Sequence, residues 1–137
     1  MIYITRRERF NAAHRLFRED FSDEMNEEVF GKCSNPNWHG HNYELFVTLK
    51  GDINPETGFL INLKLLSNLI QKEIISKIDH KNINLEVDFM QNKLASTENL
   101  AVSIWEVLEP HVKQLGSDLH CVKVTESENN FVEYYGN

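Results

Sequence analysis

Alternating apolar and polar residues predict two long strands in the first part of the chain. In residues 2–14 the apolar side chains recur at even positions, although Arg6 and Glu8 interrupt the apolar face. Residues 39–50 alternate more regularly, and turn-forming residues follow at 51–58. Between the two strands, residues 18–32 are acidic and polar, so we expect a loop there.

Helical spacing replaces this alternation in the second half. Apolar residues recur at intervals of three and four from about residue 62 to residue 78. A second helix is expected to begin at Ser96 or Thr97, either of which can cap it, with Glu98 in its first turn.

Two short alternating segments close the chain, at residues 119–126 and 131–135, with a hairpin turn between them. The order ββααββ predicts an α+β fold, with two helices on one face of a four-stranded antiparallel sheet. Such a sheet has two open edges, which favour association with other copies.

Length and charge narrow the class of protein. The 137 residues show no linker or repeat, so we expect a single domain over residues 1–137. The 21 acidic residues outnumber the 14 basic ones, and the net charge of −7 argues against a nucleic-acid partner. No apolar run is long enough for a membrane span, no signal segment opens the chain, and two cysteines are too few for a disulfide framework. A cytoplasmic protein without a membrane partner is therefore expected.

The sharpest chemical feature is His39-Gly40-His41 at the start of the second strand. Residues i and i+2 of a strand point the same way, so both imidazoles can reach one point, and His14 could supply a third. Three neutral imidazoles suit Zn²⁺ and leave a coordination position for substrate. The alternative is a pair of polar strand histidines and an unrelated third one.

Three further positions could carry chemistry. Cys33, beside Lys32 in a polar loop, could be a base or nucleophile, a fourth metal ligand, or an inert thiol. Asp79-His80 could be a carboxylate-oriented proton donor or an ordinary helix C-terminus. Glu126, at a strand end, could be solvated or could accept N–H donors from a nitrogenous ring.

Several segments together resemble the 6-pyruvoyl-tetrahydropterin synthase family, over residues 3 to 136. Each motif is weak alone, but the set and its order are specific. The spacing of five residues between Cys33 and His39 is that of the pyruvoyl-forming enzymes, whereas the related 6-carboxy-tetrahydropterin synthases typically have three. Trp38 and Phe131 depart from the commoner small or aliphatic residues. The segments that carry the resemblance are Phe10 to Leu16, Gly31-Lys32-Cys33, Asn35 to Tyr43, Asp79-His80-Lys81-Asn82, Ser96-Thr97-Glu98-Asn99 and Thr125-Glu126.

The resemblance implies a tunnelling fold (T-fold), in which three subunits close a barrel and two trimers form a homohexamer. It also implies a zinc lyase that converts the small molecule 7,8-dihydroneopterin triphosphate into 6-pyruvoyl-tetrahydropterin and triphosphate, a step of tetrahydrobiopterin-type synthesis. Mg²⁺ could accompany the triphosphate. Active sites would lie between subunits.

The same resemblance assigns residue roles. Zinc would be held by His14, His39 and His41. Cys33 would accept a proton, Asp79 and His80 would return protons, and Glu126 would anchor the pterin. Ser96, Thr97 and Glu98 would line the same pocket.

Two other functions stay open on the sequence alone. One is the 6-carboxy-tetrahydropterin synthase of queuosine synthesis, which has the same fold, zinc and substrate. The other is a zinc-binding oligomer without activity, which would need neither Cys33 nor Asp79-His80.

All five arginines fall within the first 18 residues, which contain a single acidic residue, Glu8. This basic segment includes His14, so it could attract a polyanionic substrate despite the acidic total. Arg15 and Arg18 are the arginines to test, and a merely solvated strand is the alternative.

Overall fold

Two thirteen-residue strands form the centre of the molecule, whose computed structural model describes every residue from Met1 to Asn137. Strand β1 (Ile2–His14) pairs antiparallel with strand β2 (His39–Gly51) along its whole length. The two strands predicted from the alternating pattern are therefore confirmed. From residue 8 onward the even-numbered side chains of β1 are buried, whereas the odd-numbered ones are exposed or half-buried.

The sheet has the order β3-β1-β2-β4-β5. Strands β4 (Asp118–Thr125) and β5 (Phe131–Tyr134) form the expected hairpin, and Glu126 donates its backbone N–H to the carbonyl of Asn130. The sequence predicts four strands, and the fifth is β3 (Lys81–Asn82), which pairs parallel to β1. Two residues are too few to produce an alternating pattern.

Helices cover one face of this sheet, which confirms the α+β class. The first is a continuous helical run of α2 (Leu63–Ile70), a π-helical segment (Gln71–Ile75) and α3 (Ser76–Ile78). The second is α5 (Thr97–Gln114), capped by Ser96. Their apolar faces and the even-numbered face of β1 enclose a core of 25 buried residues. The connection between them contains α4 (Ile83–Glu86) and a 3₁₀ turn, Asp88–Met90.

The expectation of a loop over residues 18–32 is wrong. Helix α1 (Asp23–Phe30) occupies most of it, and a 3₁₀ turn (Gly31–Ser34) follows. Ser22 caps α1 by accepting the Met25 N–H at 3.1 Å, and Asp23 lies in the first turn. This helix buries only Asn26, so it lacks the apolar stripe on which helix prediction depends. The capping residue Ser22 is the sequence feature that indicates this helix.

Glu8, which interrupts the apolar face of β1, is buried under the first helical run and only 8% exposed. Its carboxylate accepts hydrogen bonds from Ser67 Oγ (2.7 Å), Gln71 Nε2 (2.8 Å) and Arg6 Nε (2.8 Å). Burial alone would raise the pKa of Glu8, but these three donors outweigh it and lower the pKa. The buried carboxylate therefore ties β1 to the helix as an ion.

The other face of the sheet has no helix over it and is mainly polar, with a few aromatic side chains such as Phe46. Arg9 lies opposite Glu44 there, and Thr5 lies opposite Thr48. None of the helices combines the length and the apolar character needed to cross a membrane.

Candidate metal and substrate site

Three histidines meet where β1 ends and β2 begins. His14 pairs in register with His39, and Ala12 pairs with His41, so all three imidazoles lie on the helix-covered face of the sheet. The ring centroids of His14 are 4.4 Å from His39 and 5.1 Å from His41, and those of His39 and His41 are 5.0 Å apart. One nitrogen of each ring lies within 4.8 Å of the others, a spacing that fits a single metal ion.

The hydrogen bonding of these rings also fits a metal. His14 is only 2% exposed, and its Nδ1 is 2.7 Å from the carbonyl oxygen of Ala95, an acceptor that leaves Nε2 as the free nitrogen. That Nε2, both ring nitrogens of His39 and the Nε2 of His41 are buried without a hydrogen-bond partner. Burial lowers the pKa of His14 and of His39, which favours the neutral imidazoles that a metal requires.

Gly40 separates the two histidines of β2 for a steric reason. A Cβ at this position would lie 3.3 Å from the carbonyl oxygen of Ala12 on β1. A larger residue would force the backbone of β1 to shift by a few tenths of an ångström at the point where the strand register aligns the three imidazoles. The glycine therefore allows close strand pairing between the ligands.

Cys33 lies half-buried in the 3₁₀ turn that follows α1. Its carbonyl accepts the Leu16 N–H at 2.8 Å, so the turn is held beside the segment that follows His14. The thiol of Cys33 does not belong to the group of nitrogens that converge on one point. The convergent group therefore consists of the three histidines alone.

Glu126 and Thr97 border a second part of the site. Glu126 follows β4, and its Oε2 accepts a 2.5 Å hydrogen bond from Thr97 Oγ1 at the start of α5. Its Oε1 lies 3.6 Å from His41 Nε2. Both residues, with Glu98 and Phe131, line a cavity of about 500 Å³. Three of the predicted pterin-pocket residues therefore lie together near the histidines.

Ser96 differs from the other predicted pocket residues. Its Oγ accepts the Asn99 N–H at 3.2 Å and caps α5, and the side chain does not line the cavity. The hydroxyl is already used by the helix, and Ser96 acts by fixing where α5 begins.

Asp79 and His80 lie at the edge of the sheet, where the chain enters β3 beside Asn11 of β1. Asp79 Oδ1 accepts the Asn11 N–H at 3.0 Å, and this bond is the main reason that the pKa of Asp79 is lowered. Asp79 Oδ2 is 3.0 Å from Nδ1 of His80, whose side chain is 77% exposed. The pair borders a hollow of about 400 Å³ that is also lined by residues of β1 and β2, among them Arg9 and Glu44 of the uncovered face. Within one chain, the structure does not bring Asp79 and His80 to the three histidines.

His80 takes an unusual backbone conformation, with φ at 62°. Its backbone N–H donates to the Asn11 carbonyl at 2.7 Å, so the turn from α3 into β3 is fixed against β1. This attachment presents the imidazole outward beside Asp79.

Tyr43 also belongs to the site, although the sequence motifs do not single it out. It is buried, and its ring lies edge-on to His41 at 5.4 Å between centroids and to His14 at 6.1 Å. Burial raises the pKa of Tyr43, so its hydroxyl stays protonated. The two-residue period of a strand indicates this position, because Tyr43 follows His41 by two residues and lies on the same face of β2.

The sequence and the fold of this chain both match those of known proteins. The sequence profile described as 6-pyruvoyl tetrahydropterin synthase matches residues 3–137. The chain is 44% identical over 133 residues to the 6-pyruvoyl tetrahydrobiopterin synthase of Homo sapiens, covering 97% of this chain and 90% of the relative. It is 32% identical over 100 residues to the 6-carboxy-5,6,7,8-tetrahydropterin synthase of Bacillus subtilis, covering 71% of this chain and 64% of that one.

The solved structure of Caenorhabditis elegans 6-pyruvoyl tetrahydropterin synthase superimposes with a TM-score of 0.91 at 34% identity, covering 99% of this chain and 96% of that one. The fold is therefore the T-fold that the sequence analysis expects, with three histidines placed to hold a metal ion. The chain belongs to the 6-pyruvoyl tetrahydropterin synthase family.

Proposed function

We propose that the chain is a zinc-dependent 6-pyruvoyl-tetrahydropterin synthase. In this role it converts 7,8-dihydroneopterin triphosphate into 6-pyruvoyl-tetrahydropterin and triphosphate, a carbon–oxygen lyase reaction with internal redox. The observation that carries the proposal is the group of His14, His39 and His41, whose unpartnered ring nitrogens converge beside the cavity of Thr97 and Glu126. The relative from Homo sapiens bears the name of this activity.

The donor set favours Zn²⁺, because three histidine ligands with a fourth position left for substrate are typical of catalytic zinc sites. Bound there, the ion would polarise the side-chain oxygens of the substrate and acidify the neighbouring C–H bonds. The hydrogen bond between His14 Nδ1 and the Ala95 carbonyl fixes the orientation of the ring, with Nε2 directed to the metal.

In the proposed mechanism, Glu126 anchors the pterin ring. Its carboxylate accepts N–H groups of the ring, and the hydrogen bond from Thr97 fixes its orientation. Glu98 lines the same cavity, and Ser96 positions Thr97 by capping α5. Anchoring at Glu126, which is 3.6 Å from His41, brings the substrate's side chain to the histidines.

Proton transfer is divided between two groups. Cys33, in the turn held beside the end of β1, accepts the proton from the acidified carbon. His80, oriented by Asp79, returns a proton on the other side of the substrate. A base and an acid on opposite sides allow one carbon to lose a proton while another gains one.

A second copy of the chain completes the site. The half-buried Asp79 and the exposed His80 lie at the edge of the sheet and not with the three histidines of their own chain, and strands β3 and β5 are open edges. Pairing of these edges in a trimer closes the sheet into a barrel, and two trimers form the homohexamer. Each Asp79-His80 pair then serves the histidines of a neighbouring copy.

Phosphorus NMR tests this function on zinc-loaded protein with 7,8-dihydroneopterin triphosphate as substrate. We expect intact inorganic triphosphate to be released, and the release to stop when a chelator removes the metal and to resume when zinc is restored. Release of orthophosphate alone would indicate hydrolysis and contradict the proposal. No reaction in zinc-loaded protein would favour a metal-binding oligomer without activity.

The 6-carboxy-tetrahydropterin synthase activity is the second candidate, supported by the similarity to the Bacillus subtilis relative. The spacing between Cys33 and His39 and the higher identity to the Homo sapiens relative favour the pyruvoyl product. The side chain that remains on the pterin product decides between the two.

A further inference from the structure

Arg15 is the one arginine of this chain without a carboxylate partner. The other four form ion pairs: Arg6 with Glu8, Arg7 and Arg9 with Glu44, and Arg18 with Asp20. In an acidic protein, an arginine that remains unpaired next to a metal-ligand histidine has a positive charge available for a ligand.

The position of Arg15 is fixed at the backbone and along its side chain. Asn84 makes two hydrogen bonds to its backbone, accepting its N–H at 3.0 Å and donating to its carbonyl at 2.9 Å. Arg15 Nε donates to the Ser34 carbonyl at 2.8 Å, and the guanidinium carbon lies 4.0 Å from the centre of the Phe17 ring. The two terminal nitrogens are left free to donate.

Arg15 lines a cavity of about 700 Å³ whose other lining residues are mainly polar or charged. Lys32 lines the same cavity and forms no ion pair, so it is a second available cation. Two of the lining residues are chain neighbours of proposed site residues, since Arg15 directly follows His14 and Ser34 directly follows Cys33. The hydrogen bonds from Arg15 Nε to Ser34 and from the Leu16 N–H to Cys33 join these two segments.

We propose that Arg15, together with Lys32, binds the triphosphate of the substrate. This inference rests on the proposed function and deepens it by naming the anion site. A guanidinium held by its Nε presents its remaining N–H groups as a planar donor pair, which matches two phosphate oxygens. Arg15 and Arg18 are equal candidates on the sequence alone, but Arg18 donates two hydrogen bonds to Asp20 and is already paired.

The acidic residues in the cavity bear on whether the triphosphate binds as the free anion or as its magnesium complex. Asp23 and Glu27 of α1 line it as well, so a free polyanion would meet two like charges. A magnesium complex of triphosphate carries less negative charge, and we expect it to be the bound form.

Calorimetry of zinc-loaded protein with inorganic triphosphate, in excess magnesium, measures this site without turnover. We expect Arg15→Gln to weaken binding about ten- to hundredfold, as for the loss of one charge-assisted contact. Zinc content and the affinity for 7,8-dihydroneopterin, which lacks phosphates, should not change. Arg18→Gln is the matched control, with the same loss of charge three residues away, and should bind as the wild type does.

Unchanged binding in Arg15→Gln, equal weakening in Arg18→Gln, or no binding by the wild type would each overturn the anion site. If Arg15→Gln loses its fold or its zinc, Lys32→Gln provides the test: weaker binding supports the site, and wild-type binding overturns it. A wild type that binds magnesium triphosphate through Arg15 but does not convert the substrate would contradict the proposed function and keep the anion site.

Discussion

Replacing Glu126 by glutamine separates two roles that its position allows. Its Oε2 accepts the hydrogen bond from Thr97, and its Oε1 lies 3.6 Å from His41, so the carboxylate could anchor the pterin or support a metal ligand. Glutamine keeps the length and shape of the side chain but removes its charge. We expect Glu126→Gln to weaken pterin binding and to leave the metal in place.

The size of the loss follows from the number of bonds that change. A hydrogen bond to a charged group contributes about 1.5–3 kcal/mol and a neutral one about 0.5–1.5 kcal/mol. If Glu126 accepts two N–H groups of the pterin, the neutral side chain loses about 2–3 kcal/mol in total. This corresponds to a dissociation constant roughly 30- to 150-fold higher.

Fluorescence titration with 7,8-dihydroneopterin measures the affinity, and metal analysis of the same sample measures zinc. Glu128→Gln is the matched control, because Glu128 is exposed in the turn just beyond the cavity. A change in affinity below about threefold would refute the anchor. Loss of zinc in Glu126→Gln would instead assign Glu126 to the support of His41.

Three other substitutions test separate parts of the account. Cys33→Ala should retain zinc and pterin affinity while turnover falls about 10²- to 10⁴-fold, the usual contribution of a proton acceptor; loss of zinc would make Cys33 a ligand. His39→Ala should abolish bound zinc and the rise of the unfolding temperature on zinc addition, whereas His120→Ala should preserve both; zinc at one per chain in His39→Ala would contradict the ligand set. Glu8→Gln should lower the free energy of unfolding by about 1–3 kcal/mol at pH 7, because three donors lose their ionic acceptor. Since the pKa of Glu8 is lowered in the fold, this deficit should shrink as the pH falls below the ordinary value of 4.5, and urea titrations showing a deficit independent of pH would contradict the assignment.

Periodicity explains how much of the fold the sequence could predict. The strands β1 and β2 and the helix α5 repeat their apolar residues often enough to be identified. Helix α1 buries a single residue, and β3 contains two residues, so neither has a repeat. The capping residue Ser22, followed by two acidic residues, was the remaining local signal for α1.

The candidate site was predictable to the extent that it depends on local geometry. His39 and His41 share a face because of the two-residue period of a strand, but the pairing of His14 with His39 depends on the register between strands. The carbonyl of Ala95 comes from a distant segment and has no sequence signal.

The sequence does not indicate where Asp79 and His80 lie relative to the three histidines. The pair follows a predicted helix, but its place at the edge of the sheet is set by its hydrogen bonds to the backbone of Asn11. Its separation from the histidines of the same chain supports the proposal of a site built by two copies.

The mass of the pterin product tests the central claim most directly. Zinc-loaded protein is incubated with 7,8-dihydroneopterin triphosphate in the absence of oxygen and external reductant, and the product is analysed by chromatography and mass spectrometry. The account predicts a tetrahydropterin that keeps the three-carbon side chain as a pyruvoyl group, formed in equal amount to triphosphate. A product that keeps a single side-chain carbon as a carboxyl group, or unchanged substrate, would contradict it.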